Sequence, residues 1–156
     1  MHVVLVEPEI APNTGNVARL CAATRSTLHL VEPLGFRLDA AQLKRAGMDY
    51  WRLVQWQRWP DWNSLVARLP PGARLWFVES RGTRRYTDVR FQVEDYLVFG
   101  RETAGLPQEL LARHREAWLR IPMLNPAARS LNLANCVALV LFEALRQQGF
   151  PGEFPT

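Results

Sequence analysis

Val3-Val4-Leu5-Val6-Glu7-Pro8-Glu9-Ile10-Ala11-Pro12-Asn13-Thr14-Gly15-Asn16-Val17-Ala18-Arg19 passes from an unbroken apolar run, through a turn punctuated by prolines, into a helical pattern. A short apolar run bounded by turn formers reads as a strand buried on both faces, as in a parallel sheet. The same change of period recurs down the chain. Strands are predicted at Val3–Val6, Leu28–Val31, Leu75–Val78, Tyr96–Phe99 and Trp118–Ile121, with a weaker one at Leu53–Trp56. Helices are predicted at Thr14–Ala23, Ala40–Ala46, Trp62–Leu69, Gln108–His114 and Leu131–Gln147. Strand and helix alternate, so the expected class is α/β, a mostly parallel sheet with helices on both faces. The loops Pro70-Pro71-Gly72 and Arg81-Gly82-Thr83 are too short to link two units, and residues 1–156 read as one domain.

The last helix is apolar around most of its circumference, carrying Leu133, Val137, Leu139, Val140, Leu141, Phe142 and Leu145. Such a helix needs cover on more than one side, from its own sheet and from a second subunit. Beyond it, Gly149–Thr156 reads as an irregular tail.

Composition narrows the classes. The chain has 156 residues, 48% of them hydrophobic, enough for a single core. No apolar run is long enough to span a bilayer, and the N-terminus lacks the pattern of a secretory signal, so a soluble cytoplasmic protein is expected. Cys21 and Cys136 lie far apart within apolar patterns and read as reduced core residues. His2, His29 and His114 are scattered, and no metal site is expected. The net charge of +4 is almost wholly arginine, Lys44 being the only lysine. Arginine suits bidentate phosphate contact, although a solvated surface gives the same composition. Arg81, Arg84, Arg85 and Arg90, interleaved with Tyr86, read either as an RNA contact or as a solvated loop. Tyr50, Trp51, Trp56, Trp59 and Trp62 read as core or interface.

Three segments carry chemistry. In the first, Asn13 or Thr14 is expected as the N-cap of a helix at the carboxyl edge of the sheet, with Arg19 about one and a half turns on. The second, Tyr96-Leu97-Val98-Phe99-Gly100-Arg101-Glu102-Thr103-Ala104-Gly105-Leu106-Pro107, ends a strand in a glycine-bearing loop with one carboxylate. The third, Ile121-Pro122-Met123 with Arg129-Ser130-Leu131-Asn132-Leu133-Ala134-Asn135, enters the apolar helix, with Ser130 as the expected cap and Asn132 and Asn135 three apart. Taken singly, each also reads as ordinary capping and surface. A dinucleotide-binding Rossmann protein, with Glu32 as its ribose acid, would need more glycines in the first turn than Gly15.

In order and spacing, Asn13-Thr14-Gly15-Asn16-x-x-Arg19, then Phe99-Gly100-x-Glu102-x-x-Gly105-Leu106-Pro107, then Ile121-Pro122-Met123 and Arg129-Ser130-Leu131-Asn132-Leu133, the chain resembles the SPOUT RNA methyltransferases. Within them it is most similar to the small TrmL group, which 2'-O-methylates the wobble cytidine or uridine of tRNA. The resemblance implies a C-terminal trefoil knot, S-adenosylmethionine as methyl donor, the tRNA anticodon loop as substrate and a homodimer. It assigns catalysis to Arg19, Asn13, Glu102, Ser130 and Asn132, and donor binding to the positions of Val78, Gly100, Ile121 and Ser130. Arg129 is a further phosphate candidate. Ala134, Phe142 and a Leu124–Ala128 loop one residue longer than the group's depart from its pattern. Methylation of another tRNA or rRNA nucleotide, or a non-catalytic RNA-binding role, remains compatible with the same residues.

Overall fold

Alternate residues of strand β1 (His2–Val6) are buried in opposite directions: Val3 and Leu5 join one apolar cluster, Val4 and Val6 another. A strand with both faces buried requires helices above and below it, and the computed structural model, which describes residues 1–38 and 49–154, shows them. Helix α1 (Ala11–Thr24) and helix α4 (Leu133–Gln147) cover the first face, through Val17, Ala18, Cys21, Val137, Val140, Leu141 and Ala144. The short helices α2 (Trp62–Val66) and α3 (Gln108–Ala112) cover the second, through Leu65, Leu110 and Leu111.

The remaining strands are β2 (Thr27–Val31), β3 (Gln55–Trp59), β4 (Leu75–Val78), β5 (Arg84–Arg85), β6 (Tyr96–Phe99) and β7 (Trp118–Arg120). They form one sheet in the order β3-β2-β1-β6-β4-β7-β5, and every pairing is parallel. The chain builds outward from β1 to β3, then crosses back, so β1 and β6 become neighbours at the point where the winding reverses. Ligands of open parallel sheets bind at the carboxyl ends of strands flanking such a point.

The α/β class and the layering agree with expectation. The weak strand lies a little later than expected, at Gln55–Trp59, with Leu53 largely exposed before it. The expected Ala40–Ala46 helix falls outside the described residues. Two capping expectations are corrected. Helix α1 starts three residues early, with Ile10 as its N-cap and Pro12 in its first turn, where a missing N–H costs nothing. Asn13 and Thr14 are therefore inside the helix and buried. Helix α4 is capped by Asn132, whose Oδ1 accepts from the Ala134 amide at 2.9 Å, rather than by Ser130. No helix among the described residues is long and apolar enough to cross a membrane.

A fully paired polar chain crosses one face of the sheet, from Trp59 at the carboxyl end of β3 through His29 in the middle of β2 to His2 at the start of β1. Trp59 Nε1–H donates to His29 Nδ1 at 3.1 Å, so the proton of neutral His29 belongs on Nε2. That nitrogen lies 3.0 Å from His2 Nδ1, and His2 Nε2 lies 3.0 Å from Glu94. Burial first, and nearby His2 second, push the His29 pKa down from 6.5 to about 4. The unfolded chain therefore binds the extra proton first. The contribution is complete above about pH 6.5 and is lost as pH falls from there to about 4, on the order of 3 kcal/mol. Urea unfolding of the wild type across this window should show a steeper loss of stability than a His29→Gln variant.

Candidate active site

The loops that follow β1, β4, β6 and β7 meet the start of α4 around a cavity of about 640 Å³ at the carboxyl edge. Its walls include Asn13, Val78, Gly100, Glu102, Ile121 and Asn132, and it extends to Ser130, Arg129 and Arg81. All three motif segments thus converge, although they are up to 119 residues apart in sequence.

One carboxylate organises the meeting. Glu102 accepts from the Glu9 amide at 2.8 Å through Oε2, and through Oε1 from the Ile10 amide at 3.2 Å and Asn13 Nδ2 at 3.1 Å. These amides precede the first turn of α1, where the helix has no partners of its own for them and where a negative charge is favoured. Asn13 then presents its Oδ1 to Asn132 Nδ2 at 2.9 Å, and Asn132 closes the chain on the Ala134 amide. A carboxylate can only accept and an amide N–H can only donate, so the orientation of both asparagine side chains is fixed from the two ends.

The β6 turn is shaped by backbone contact. A Cβ on Gly100 would lie 2.2 Å from the Gly105 carbonyl carbon and 2.3 Å from the Leu106 nitrogen. Gly105 has φ +68°, and it exchanges two backbone hydrogen bonds with Arg101, at 2.9 and 3.1 Å. The turn leaves room on its other side for a ligand to approach the main chain. Val78, Phe99, Ile121, Met123 and Leu133 give the cavity apolar wall, while Arg81, Arg101 and Arg129 give it positive charge beside Glu79 and Glu102. Arg101 Nε lies 3.4 Å from Glu7 Oε2. The Thr103 hydroxyl first, and its amide second, hold the Glu9 carboxyl below its usual range.

Of the residues assigned to catalysis or donor binding, all but Arg19 line this cavity. Arg19 is exposed on α1, six residues beyond Asn13, which is about 9 Å along the axis and roughly a third of a turn from its face. Asn135 is likewise exposed and outside the lining. Of the basic loop, Arg84 donates to the Glu116 carbonyl and lies 5.4 Å over Trp76, while Arg120 of β7 donates to the loop carbonyls of Gly82 and Thr83. These two have structural duties, whereas Arg81 faces the cavity. The tryptophans divide between the two apolar clusters, Trp51 and Trp56 on one face of the sheet and Trp59 and Trp62 on the other. Glu9, Thr103 and Glu79 were not distinguishable from solvated loop residues by pattern. Among the described residues no three His, Cys, Asp or Glu side chains are grouped to hold a metal ion.

An open parallel sheet whose three separated loops enclose one ligand-sized cavity, at the reversal point of the winding, has the architecture of the SPOUT methyltransferases. The chain belongs to the SpoU rRNA methylase family, whose model matches residues 1–142. It is 54% identical over 153 residues to a tRNA (cytidine(34)-2'-O)-methyltransferase of Burkholderia cenocepacia (strain HI2424), with 97% of each chain covered. A solved structure concerned with the 2-OH methylation of C/U34 on tRNA superposes with a TM-score of 0.90 at 47% identity, covering 95% of both chains. An AdoMet-bound rRNA methyltransferase from Sinorhizobium meliloti gives a TM-score of 0.81 at 28% identity, over 93% of this chain and 55% of that one.

Glu102→Gln leaves a single acceptor oxygen for three donors and sets an NH₂ against at least one of them. It should cost about 1–3 kcal/mol in chemical denaturation. Gly100→Ala, which forces a Cβ into backbone, should cost at least as much and abolish ligand binding in calorimetry.

Proposed function

We propose that this protein transfers a methyl group from S-adenosylmethionine to the ribose 2'-oxygen of the wobble nucleotide, position 34, of tRNA, and that it does so as a homodimer in the cytoplasm. The convergence of Gly100, Glu102, Asn13, Ser130 and Asn132 on one cavity carries the reading. Full-length identity of 54% to a protein named for that reaction supports it.

The cavity suits the donor in three respects. Its volume lies in the range of small-molecule sites, its walls mix apolar side chains with a few polar groups, and the Gly100–Gly105 turn exposes main chain. When bound, S-adenosylmethionine supplies the electrophilic methyl group. Backbone groups at Val78, Gly100 and Ile121, together with Ser130 at the mouth, would hold it. Threading of the 121–132 segment past the 100–105 turn as a trefoil knot belongs to the same reading.

The protein's own task is to align a ribose hydroxyl and manage its charge. Asn13 and Asn132 are held rigidly at the cavity wall, and Arg129 and Arg81 offer guanidinium groups for the flanking phosphates. Arg19 brings a planar guanidinium fork, suited to holding a phosphate and stabilising charge on the attacking oxygen, with general base as its alternative role. Arg19 is absent from the lining of its own protomer's cavity, and this reading brings it to the substrate from a second copy. The exposed Leu139 and Phe142 on α4, which packs against α1, and the exposed Leu131 just before its N-cap supply an apolar face for one.

Purified protein incubated with methyl-labelled S-adenosylmethionine and total tRNA from a strain lacking the gene should label a 2'-O-methylated nucleotide 34, mapped by nuclease digestion and mass spectrometry. Label at another tRNA or rRNA ribose would overturn the substrate, and no transfer despite donor binding would overturn the reaction. Arg19→Ala should lower turnover roughly 100-fold with donor affinity retained, and Arg19→Lys, which keeps charge but loses the planar fork, should not restore it.

A further inference from the structure

Between β1 and α1 on one side, and β6 and α3 on the other, three consecutive residues engage the opposite segment in turn. Arg101 approaches Glu7, Glu102 accepts from the Glu9 and Ile10 amides, and Thr103 donates to the Glu9 carboxylate. The last contact is double: the Thr103 amide lies 3.0 Å from Glu9 Oε2 and its hydroxyl 2.7 Å from the same oxygen. Glu9 therefore both donates to residue 102 and accepts from residue 103. Its backbone is also backed from behind, because a Cβ on Gly35 would lie 2.6 Å from Glu9 Cα, and the Gly35 amide donates to the Pro8 carbonyl at 2.9 Å. Glu9 is thus wedged between two segments.

We propose that Glu9 and Thr103 are positioning residues for methyl transfer, their clasp fixing the 100–105 turn, which forms the donor cavity, against helix α1, which carries Asn13 and Arg19. This rests on the function proposed above. Thr103 is exposed and Glu9 half-buried at the rim, where hydrogen bonds contribute little to global stability, so the stability of the fold does not by itself account for the pair. What it controls is relative placement, to which transfer between two bound molecules is steeply sensitive.

The test compares full-length wild type with Glu9→Ala, Glu9→Gln, Thr103→Val and the Glu9→Ala/Thr103→Val double variant. Amide hydrogen exchange is read on the protein alone, donor affinity by calorimetry, and turnover at saturating donor. Glu9→Ala should speed exchange in residues 7–13 and 100–105 and lower kcat about tenfold, with donor affinity within roughly threefold of wild type. Glu9→Gln, which keeps an acceptor for Thr103, should recover most of both, and the double variant should be no worse than either single one. Unchanged exchange in Glu9→Ala, wild-type kcat in that variant, or additive losses in the double variant would each overturn the clasp. A wild type that transfers no methyl group would instead overturn the functional reading, with the exchange result still deciding whether the clasp exists.

Discussion

A single acceptor, the Glu102 carboxylate, decides how this site is put together. Three donors from the segment after β1 converge on it, and each hydrogen bond to a charged acceptor is worth about 1.5–3 kcal/mol. Because the group accepts and never donates, Asn13 must turn its NH₂ toward it, and the polarity then propagates through Asn132 to the amino end of α4. The chain ends on a carboxylate at one extreme and a helix N-terminus at the other. Both ends favour the same orientation, so the two asparagines at the cavity wall have one arrangement rather than several.

The strands and the long helix were legible because their signals are local. Four apolar residues in a row can only be satisfied by burial on both faces, and β1 and β6 obey this, while β2 is buried the same way with His29 paired in its middle. The helix caps were not legible, for an equally physical reason. Asn13 looks like a cap in isolation, but the amides at the start of α1 are served by a carboxylate 93 residues away, which frees Asn13 for the cavity. Strand β5 escaped because two arginines carry no hydrophobic period; they pair with β7, and Arg84 lies over Trp76. The resemblance named the members of the site, yet it could not say that Asn13 and Asn132 touch while Arg19 lies outside the cavity lining.

Polar groups of the fold do two kinds of work. Across one face of the sheet, Trp59, His29, His2 and Glu94 satisfy one another in a single consistent pattern of tautomers. At the carboxyl edge, guanidinium groups of Arg81 and Arg129 and the main chain of the Gly100 turn stand open to a ligand. Rigid packing supports that openness: Gly100 lies against Gly105 and Leu106 too closely for any side chain, and Gly82 lies equally close to Leu119. A precise cavity at the reversal point of a parallel sheet is then a consequence of what is packed beneath it.

The most direct examination of the account is a crystal structure with S-adenosylmethionine, or its demethylated product, and an anticodon stem-loop RNA. The account predicts the donor in the cavity between the Gly100–Gly105 turn and Ser130, the ribose of nucleotide 34 beside Asn13 and Asn132, and the partner's Arg19 on the adjoining phosphate. A donor bound outside that cavity, or an Arg19 that reaches the RNA in neither copy, would contradict it.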